Sequence, residues 1–340
     1  MNKKEPETAL LSAAAPAWIL TDGKAGDEAQ CIGVAEALGL AYERRIIRPR
    51  APFSWVMPYG PIDPRENETR PQSPLSPPFP QLAIASGRRA VPYLKRLKRI
   101  SKGDTFTVFL KDPRTGCGTA DFIWVSQHDR LRGPNVMVTL TPPHRLSAAR
   151  LARASATSDA RLDAIAHPRV AVLVGGDSRH HQFSDGDIRA LVAGLEAWAR
   201  FGARLMITTS RRTPVGLARA LAEMAATGGH FFWDGTGENP LAAMLARAEA
   251  VVVTADSTNM IGEAAATGRA VHVFHPGGGH AKIGMFLSGL AEMGIVHPFP
   301  GPLKTTTYEP LNSTPEIAAA IRNAMRQRVA TGQTNSDRRP

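Results

Sequence analysis

Acidic and basic side chains follow a short apolar run near the start of the sequence, in the stretch TDGKAGDEAQ (21–30). Asp22 comes directly after the run AWILT (17–21), and Lys24 lies two residues further on. In an open parallel sheet, ligands bind where strands end and helix N-termini present free N–H groups. Asp22 is therefore predicted to have a functional role, because it ends a strand at the ligand edge, and Lys24 lies beside it on a turn that glycine permits. Asp27 could equally well cap the following helix or take part in catalysis.

Three more stretches of the first half place polar residues after apolar runs: ASGRRAVP (85–92), KDPR (111–114) and WVSQHDRLRGPN (124–135). Arg88 and Arg89 follow the first of these runs and could contact an anion. The adjacent His128 and Asp129 form a candidate general base, a histidine next to an acid that could orient it. The motifs GxSxG, HExxH and CxxC are absent from the sequence, so hydrolase and zinc-enzyme classes have no support.

A glycine turn opens the first candidate phosphate-binding stretch of the second half, VGGDSRHHQFSDGD (174–187). Gly175 and Gly176 would let a ligand approach the backbone closely, and Ser178 suits phosphate oxygens. The two histidines of the RHH run are adjacent, so they could not both face one metal ion on a strand or helix. No metal site is expected.

Two further stretches end in basic residues, TTSRRTP (208–214) and HPGGGHAKIG (275–284). Arg211 is predicted to clamp an anion, although one of the two adjacent arginines is expected to be only solvated. Lys282 could reach a diphosphate or a sugar. Between these stretches, Ser184 followed three residues later by Asp187 predicts a capped helix N-terminus.

The stretch VVVTADSTNMIGEAAATGRAV (251–271) carries the most information about a ligand. A β-branched run ends, and a helix of small residues begins, at four residues that favour helix N-caps: Asp256, Ser257, Thr258 and Asn259. Such a helix would pack closely on the sheet and let a ligand lie over its N-terminus. Glu263 could accept hydrogen bonds from two ribose hydroxyls, or it could be a surface acid near the favourable end of the helix dipole.

These stretches must be positioned by the apolar runs and amphipathic helices that alternate along both halves of the chain. The alternation predicts an α/β fold with a parallel sheet and crossover helices in each half, that is, two Rossmann-like domains. Ten prolines at 49–80 predict an extended insertion or loop, either functional or disordered. The predicted boundaries are 17–145 and 169–310 for the two domains, 146–168 for a linker, 311–330 for a C-terminal helix that crosses back to the first domain, and 1–16 and 331–340 for disordered tails.

The composition excludes several classes of protein. The 340 residues include 43% apolar and 21% charged residues, which is ordinary for a globular chain. Two distant cysteines, Cys31 and Cys117, argue against a disulfide scaffold, and no stretch has the roughly 20 apolar residues of a membrane span. A cytoplasmic protein is therefore expected.

Positive charge is concentrated in the first half of the chain. Residues 1–150 hold 22 Lys and Arg against 14 Asp and Glu, and the whole chain carries a formal charge of +11. This excess indicates a solvated basic face or a surface for anionic lipid at the inner face of the membrane. Aromatic residues are only 6% and do not interleave with the basic run, so nucleic-acid binding is not expected. The sequence does not indicate an oligomeric state.

The motifs together resemble those of a family named for a plant mitochondrial fission factor, over about residues 17–300. The residues that carry this resemblance are TDGKAGDEAQ, SGRR, KDPR, QHD…GPNV, GGDSRHHQFSD, TTSRRTP, DGTGENP, TADSTNMIGEAAATG and the closing HPF.

The second half also resembles the GT-B glycosyltransferases. The resemblance implies that Gly175, Gly176 and Ser178 lie under the donor phosphates and that Phe232 and Trp233 meet the nucleobase. It further implies that the helix beginning at Asp256–Asn259 faces the diphosphate and that Glu263 holds the ribose. The chain departs from the pattern at Asp177, an inserted residue, and at Ser257-Thr258, where the family has a serine-glycine pair.

The resemblance implies an inverting, metal-independent glycosyltransferase without a cofactor. It would move a sugar from a nucleoside-diphosphate sugar to a cell-envelope glycan or a lipid-linked acceptor. Asp22, or the pair of His128 and Asp129, would be the general base that removes the acceptor hydroxyl proton. Lys24, Arg88 and Arg89 would lie on the acceptor side. The alternative is a non-catalytic interaction module at the membrane, as the fission name implies.

Overall fold

The computed structural model describes residues 16–336, and the side chains of that range up to residue 331. The predicted tail at 1–16 lies, apart from Pro16, outside the described residues. The chain divides into two compact units: Met1–Arg145 with Ser313–Pro340, and Leu146–Asn312.

The two units contain fourteen strands among the described residues, and two of these, β8 and β13, are only two residues long. Their bounds are β1 (Ala17–Thr21), β2 (Tyr42–Ile46), β3 (Leu82–Ser86), β4 (Phe106–Leu110), β5 (Phe122–Ser126), β6 (Val136–Thr139), β7 (Arg169–Val174), β8 (His181–Gln182), β9 (Arg204–Thr209), β10 (Phe231–Trp233), β11 (Ala250–Thr254), β12 (Ala270–Phe274), β13 (Gly277–Gly278) and β14 (Val296–Phe299).

The helices alternate with these strands, as the sequence predicts. Their bounds are α1 (Ala25–Ala37), α2 (Phe53–Val56), α3 (Ala90–Ile100), α4 (Ala148–Ala156), α5 (Ala160–Asp163), α6 (Asp185–Arg200), α7 (Val215–Gly228), α8 (Leu241–Arg247), α9 (Thr258–Ala265), α10 (Ala281–Glu292) and α11 (Thr314–Ser336).

Each unit is built on one six-stranded sheet in which every pairing is parallel. The strand order is β2-β1-β3-β4-β5-β6 in the first unit and β10-β9-β7-β11-β12-β14 in the second. The second order is that of the Rossmann fold, and the chain reverses direction across the sheet between β7 and β11. In the first unit the reversal falls between β1 and β3. The predicted α/β class with two Rossmann-like domains is confirmed.

The sheet of the first unit is covered on both faces, which is why its central strands are apolar at nearly every position. Along β1, Ile19 packs into one apolar cluster, and Trp18 and Leu20 pack into the other. The cluster around Ile19 includes Ile317 and Ile321 of α11, so the C-terminal helix returns to the first unit as predicted.

The structure refines the predicted layout in three places. The predicted linker at 146–168 is part of the second unit and not a separate connector, since its helix α4 packs against α8. The predicted tail at 331–340 is helical as far as Ser336, because α11 continues past residue 330. The Pro-rich segment 49–80, predicted as an extended insertion or loop, contains the short helix α2 and packs into the first unit, since Met57 and Leu75 lie in the core cluster of Trp18.

Candidate functional site

Three loops of the second unit meet at the carboxyl edge of its sheet, beside the reversal between β7 and β11. Gly175 and Gly176 follow β7, the residues Ser210 to Thr213 follow β9, and Asp256 follows β11. The strand order makes β7 the neighbour of both β9 and β11. This edge is where an open α/β sheet binds ligands.

The carboxylate of Asp256 connects these loops. Its side chain is fully buried, and it accepts hydrogen bonds from the Gly176 N–H (3.1 Å), from Thr254 Oγ1 (2.6 Å) and from Arg212 Nη2 (2.8 Å). A buried charge requires such pairing, because an unpaired carboxylate away from water is strongly disfavoured. Asp256 is thus held inside the loop junction and is not the residue that caps α9.

The two glycines are required by this packing. A Cβ atom at Gly175 would overlap the Asp256 carboxylate, and a Cβ atom at Gly176 would overlap the backbone carbonyl of Arg212. The Cβ side of both residues is therefore filled by protein atoms. A ligand could approach this turn only from the other side.

Of the two adjacent arginines, Arg212 is the one that holds the loops together. The sequence alone could not show which of the two has this role. Besides its ion pair with Asp256, its guanidinium donates to the carbonyls of Gly176 (3.0 Å) and Asp177 (2.8 Å). Arg211, the predicted anion clamp, is exposed to solvent. Thr213 completes the junction by donating through Oγ1 to the carbonyl of Gly175.

Helix α9 begins directly after this junction. Ser257 is its N-cap, and its Oγ accepts a hydrogen bond from the Met260 N–H at 3.4 Å. Thr258 and Asn259 open the helix and are half-buried, as is Glu263 in the next turn. Ser257, Thr258 and Asn259 are therefore placed at a helix N-terminus on the ligand edge, where an anion is favoured.

Ser178 organises the loop after β7. Its Oγ accepts hydrogen bonds from the backbone N–H groups of His180 (3.2 Å) and His181 (3.1 Å). The loop then pairs with the glycine-rich loop after β12, since β8 and β13 form a short antiparallel ladder. The ring centroids of His180 and His280 lie 4.4 Å apart across this pairing.

The glycine-rich loop leads into α10, whose first turn carries Lys282. His280 caps this helix, because its Nδ1 accepts from the Lys282 N–H at 3.1 Å. Lys282 is exposed at the same edge of the sheet. Burial lowers the pKa of both His181 and His275, so these rings favour their neutral forms. The predicted cap of α6 is confirmed: Ser184 and Asp187 form a capping box.

Phe232 and Trp233 are further from the reversal. They lie on β10, the edge strand of the sheet, and β9 separates that strand from β7. Phe232 packs against the core of the unit, and Trp233 donates through Nε1 to the carbonyl of Thr236 at 2.8 Å. Both side chains are half-buried.

The first unit has its own polar site beside the reversal between β1 and β3. The Asp22 side chain is 3% exposed and has Lys24 Nζ at 3.3 Å and Arg89 Nη1 at 3.7 Å. Both of its oxygens are buried without a hydrogen-bond donor among the described residues, and so is Arg89 Nε without an acceptor. Arg88 is exposed, and its Nη1 lies 3.5 Å from the Met57 carbonyl. The structure brings together Asp22, Lys24 and Arg89.

Asp27 does not cap α1. The N-cap position belongs to Lys24, and Asp27 lies in the first turn, where its carboxylate forms an ion pair with Lys111 after β4. Lys111 has φ of 109°, an unusual conformation for a residue with a side chain. The sequence places Lys111 in the KDPR stretch but assigns it no role, because a single lysine after a strand carries no distinguishing pattern.

His128 and Asp129 lie apart from Asp22. They follow β5, and β3 and β4 lie between that strand and β1, a lateral separation of roughly 14 Å. His128 Nδ1 lies 3.0 Å from Ser126 Oγ. The Ser126 hydroxyl therefore contacts the ring on its Nδ1 side.

Among residues 16–331, whose side chains the structure describes, no group of three or more His, Cys, Asp or Glu side chains could ligate a metal ion. None of the helices within residues 16–336 is long and apolar enough to cross a membrane.

Two Rossmann-like units, each with a polar site at its own strand reversal, define a protein of the GT-B structural class. The family model described as Mitochondrial fission ELM1 matches residues 25–325, so this chain belongs to the ELM1 family.

Two curated proteins and a solved structure are similar to this chain. The chain is 27% identical over 278 residues to Mitochondrial fission protein ELM1 of Arabidopsis thaliana, covering 73% of this chain and 65% of the relative. It is 28% identical over 166 residues to Uncharacterized protein RP120 of Rickettsia prowazekii, covering 46% of each. The chain thus spans less than two thirds of either relative. The S. aureus MnaA–UDP co-structure superposes with a TM-score of 0.51 at 9% identity, covering 92% of this chain and 87% of that one.

Proposed function

We propose that the second unit binds a nucleoside-diphosphate sugar and that the protein transfers the sugar to a cell-envelope glycan or lipid-linked acceptor. The observation that carries the proposal is the convergence of a glycine turn, an arginine pair and the N-terminus of α9 at the reversal between β7 and β11. The shared fold with MnaA, a protein seen with UDP, supports the choice of ligand.

The diphosphate would lie over the N-terminus of α9, where Ser257, Thr258 and Asn259 present backbone N–H groups and the helix dipole. Arg211 and Lys282 are exposed at the same edge and would neutralise the phosphate charge. The buried Asp256 does not oppose this binding, because Arg212 compensates its charge.

Glu263 would accept hydrogen bonds from the ribose hydroxyls, since it lies one turn into α9 on the nucleoside side of the diphosphate. Phe232 and Trp233 would contact the base. Their position on the edge strand requires the nucleoside to extend from α9 across β7 and β9.

The first unit would supply the acceptor site and the base. In the transfer, the acceptor hydroxyl attacks the anomeric carbon, the bond to the diphosphate breaks, and Asp22 takes the hydroxyl proton. A buried carboxylate with two unused acceptor sites suits this role. Lys24, Arg88 and Arg89 would hold an anionic acceptor, and no metal or cofactor is required, because basic groups stabilise the leaving diphosphate.

The base is assigned to Asp22 rather than to His128 and Asp129, because Asp22 lies at the strand reversal of the first unit. We also propose that the basic first unit draws the protein to an anionic membrane surface, where a lipid-linked acceptor would lie.

One observation favours the alternative of a non-catalytic interaction module. The Cβ sides of Gly175 and Gly176 are filled by Asp256 and Arg212, as a turn kept for packing alone would be. Under this alternative a partner protein, and no nucleotide, would bind at the edge between β7 and β11.

Calorimetric titration with UDP, GDP, ADP, CMP and dTDP distinguishes the two functions. We expect one nucleotide to bind, and Glu263→Ala to weaken it by about tenfold or more through loss of charge-assisted hydrogen bonds. Glu196→Ala, an exposed glutamate of α6, is the matched control and should bind as the wild type does. Asp22→Asn should keep nucleotide affinity and lose transfer. Absence of binding across the panel would refute the transferase and leave the interaction module.

A further inference from the structure

Three large apolar side chains of the first unit face solvent in a five-residue stretch inside the Pro-rich segment. Trp55 is 73% exposed, Val56 is 49% exposed and Tyr59 is 75% exposed. They lie on α2 and the turn that follows it, residues 53–60, which we call the α2 platform. Trp and Tyr are the residues enriched where proteins meet the headgroup region of a membrane.

The α2 platform is fixed to the body of the first unit, so its exposure does not come from a loose loop. Met57, between the exposed residues, is buried in the core with Leu75. After the platform, Asp63 accepts a bidentate pair from Arg50 at 2.8 Å for each contact, and this pairing holds the pKa of Asp63 well below its usual range. The unit thus exposes apolar side chains to water at fixed positions. An exposed apolar patch of this kind marks a surface that binds a partner or a membrane.

A groove of about 690 Å³ runs beside the platform and carries positive charge. Tyr59 lines it together with Lys95 and Arg99 of α3, both of which are exposed. The neighbouring carboxylate of Glu68 is already paired with Arg96. Across residues 48–70 and 88–102 the sequence holds eleven Lys and Arg but only three Asp and Glu.

We propose that the α2 platform and the basic residues of α3 dock the first unit on an anionic lipid bilayer. Trp55, Val56 and Tyr59 would enter the headgroup region, while Lys95 and Arg99 would contact lipid phosphates. The excess of positive charge around the aromatic residues is what favours a bilayer over a protein partner as the occupant. The inference rests on the membrane part of the proposed function and is independent of the nucleotide site.

Vesicle flotation of the full chain, without nucleotide, tests this surface. We expect the protein to float with vesicles of phosphatidylcholine and phosphatidylglycerol and to remain in solution with phosphatidylcholine alone. The double variant Trp55→Ser/Tyr59→Ser should reduce the partition coefficient at least tenfold. Lys95→Glu/Arg99→Glu should reduce it by about fivefold or more for each charge. Phe201→Ser removes an aromatic that is 91% exposed on the second unit, and it should float as the wild type does.

Tryptophan emission gives a second readout that reports the platform directly. Of the five tryptophans, Trp18, Trp124 and Trp198 are buried and Trp233 is half-buried, so a shift to shorter wavelength on vesicle addition reports Trp55. We expect this shift with anionic vesicles and its loss in Trp55→Phe.

The possible results distinguish the α2 platform as the docking surface from membrane association as such. Anionic binding that both double variants leave unchanged would overturn the α2 platform but keep membrane association through another face. Absence of vesicle binding would overturn both. Self-association that Trp55→Ser/Tyr59→Ser abolishes, without vesicle binding, would reassign the platform to a protein interface. Nucleotide titration is unaffected by any of these results.

Discussion

The two adjacent arginines of the second unit show how differently neighbouring side chains of one type can be used. Arg212 joins three loops through Asp256 and the carbonyls of Gly176 and Asp177, whereas Arg211 faces solvent. The buried carboxylate makes this difference large, because its charge is acceptable in the interior only while a cation pairs with it.

We expect Arg212→Ala to lower the free energy of unfolding of the second unit by about 1–2 kcal/mol, since Asp256 loses its cation; the effect is smaller than for a fully buried pair, because Arg212 is itself 45% exposed and water can replace it. Arg211→Ala, the matched control, should change it by less than about 0.5 kcal/mol. Urea unfolding followed by fluorescence measures both. Equal effects of the two variants would show that Asp256 does not depend on Arg212.

The sequence could identify the polar loops of this site but not the partner and role of each side chain within them. The pattern TTSRRTP shows that a basic pair follows a strand, yet which arginine pairs with a buried carboxylate depends on the position of Asp256, 44 residues later in the chain. The same limit applied to Lys111, whose partner Asp27 lies 84 residues away.

At the scale of elements, the start of α11 is anchored to the segment before the second unit. Thr141 Oγ1 and Ser313 Oγ lie 2.7 Å apart, and the His144 N–H donates to Thr314 Oγ1 at 3.0 Å. The same segment rests on α1 at Gly33, where a Cβ atom would come within 2.5 Å of the carbonyl of His144. Close approach at one glycine therefore sets the position of this segment between two helices.

We expect Gly33→Ala to destabilise the first unit by about 2 kcal/mol, because the segment at His144 must move away from α1. Gly216→Ala in α7 is the matched control: nothing lies within 4 Å of the added Cβ, so it should stabilise its helix by about 0.5–1 kcal/mol. Thermal unfolding of both variants measures whether each substitution lowers or raises the Tm. A neutral Gly33→Ala would mean that the segment packs loosely.

Elements with clear periodicity could be predicted from the sequence, whereas helix α3 and strand β14, which each contain a proline, were missed. Helix α3 holds Pro92, which is tolerated because the N–H groups of a first helical turn have no partner to lose. Strand β14 holds Pro298, which is tolerated because β14 is an edge strand of its sheet. In each case the position of the proline within the helix or strand, and not its presence alone, decides whether the element can form.

At the scale of the whole molecule, each unit contains a deeply buried histidine. His144 lies in the first unit and His272 on β12 in the second, and burial lowers the pKa of each from 6.5 to about 4. Both rings are therefore neutral at neutral pH.

We expect both units to lose stability as the pH falls from about 6.5 to about 4. In this range the unfolded chain binds protons at these histidines and the folded units do not, so unfolding is favoured by about 3 kcal/mol for each ring at the acid end. His144→Gln and His272→Gln should flatten the pH dependence of the unfolding free energy, while the exposed His180→Gln should not. Urea titrations across this pH range would contradict the prediction if all four proteins gave one slope.

The discontinuity of the first unit has a consequence for synthesis. Its last helix, α11, is separated from the rest of the unit by about 170 residues that build the second unit. At ribosomal rates those residues take roughly 10 to 30 s to emerge. Until then, the face of α1 that Ile317 and Ile321 will cover stays open to chaperones and proteases, although the second unit already has its complete sequence. A nascent chain stalled before Thr314 would hold the complete sequence of the second unit together with a first unit whose apolar face is uncovered.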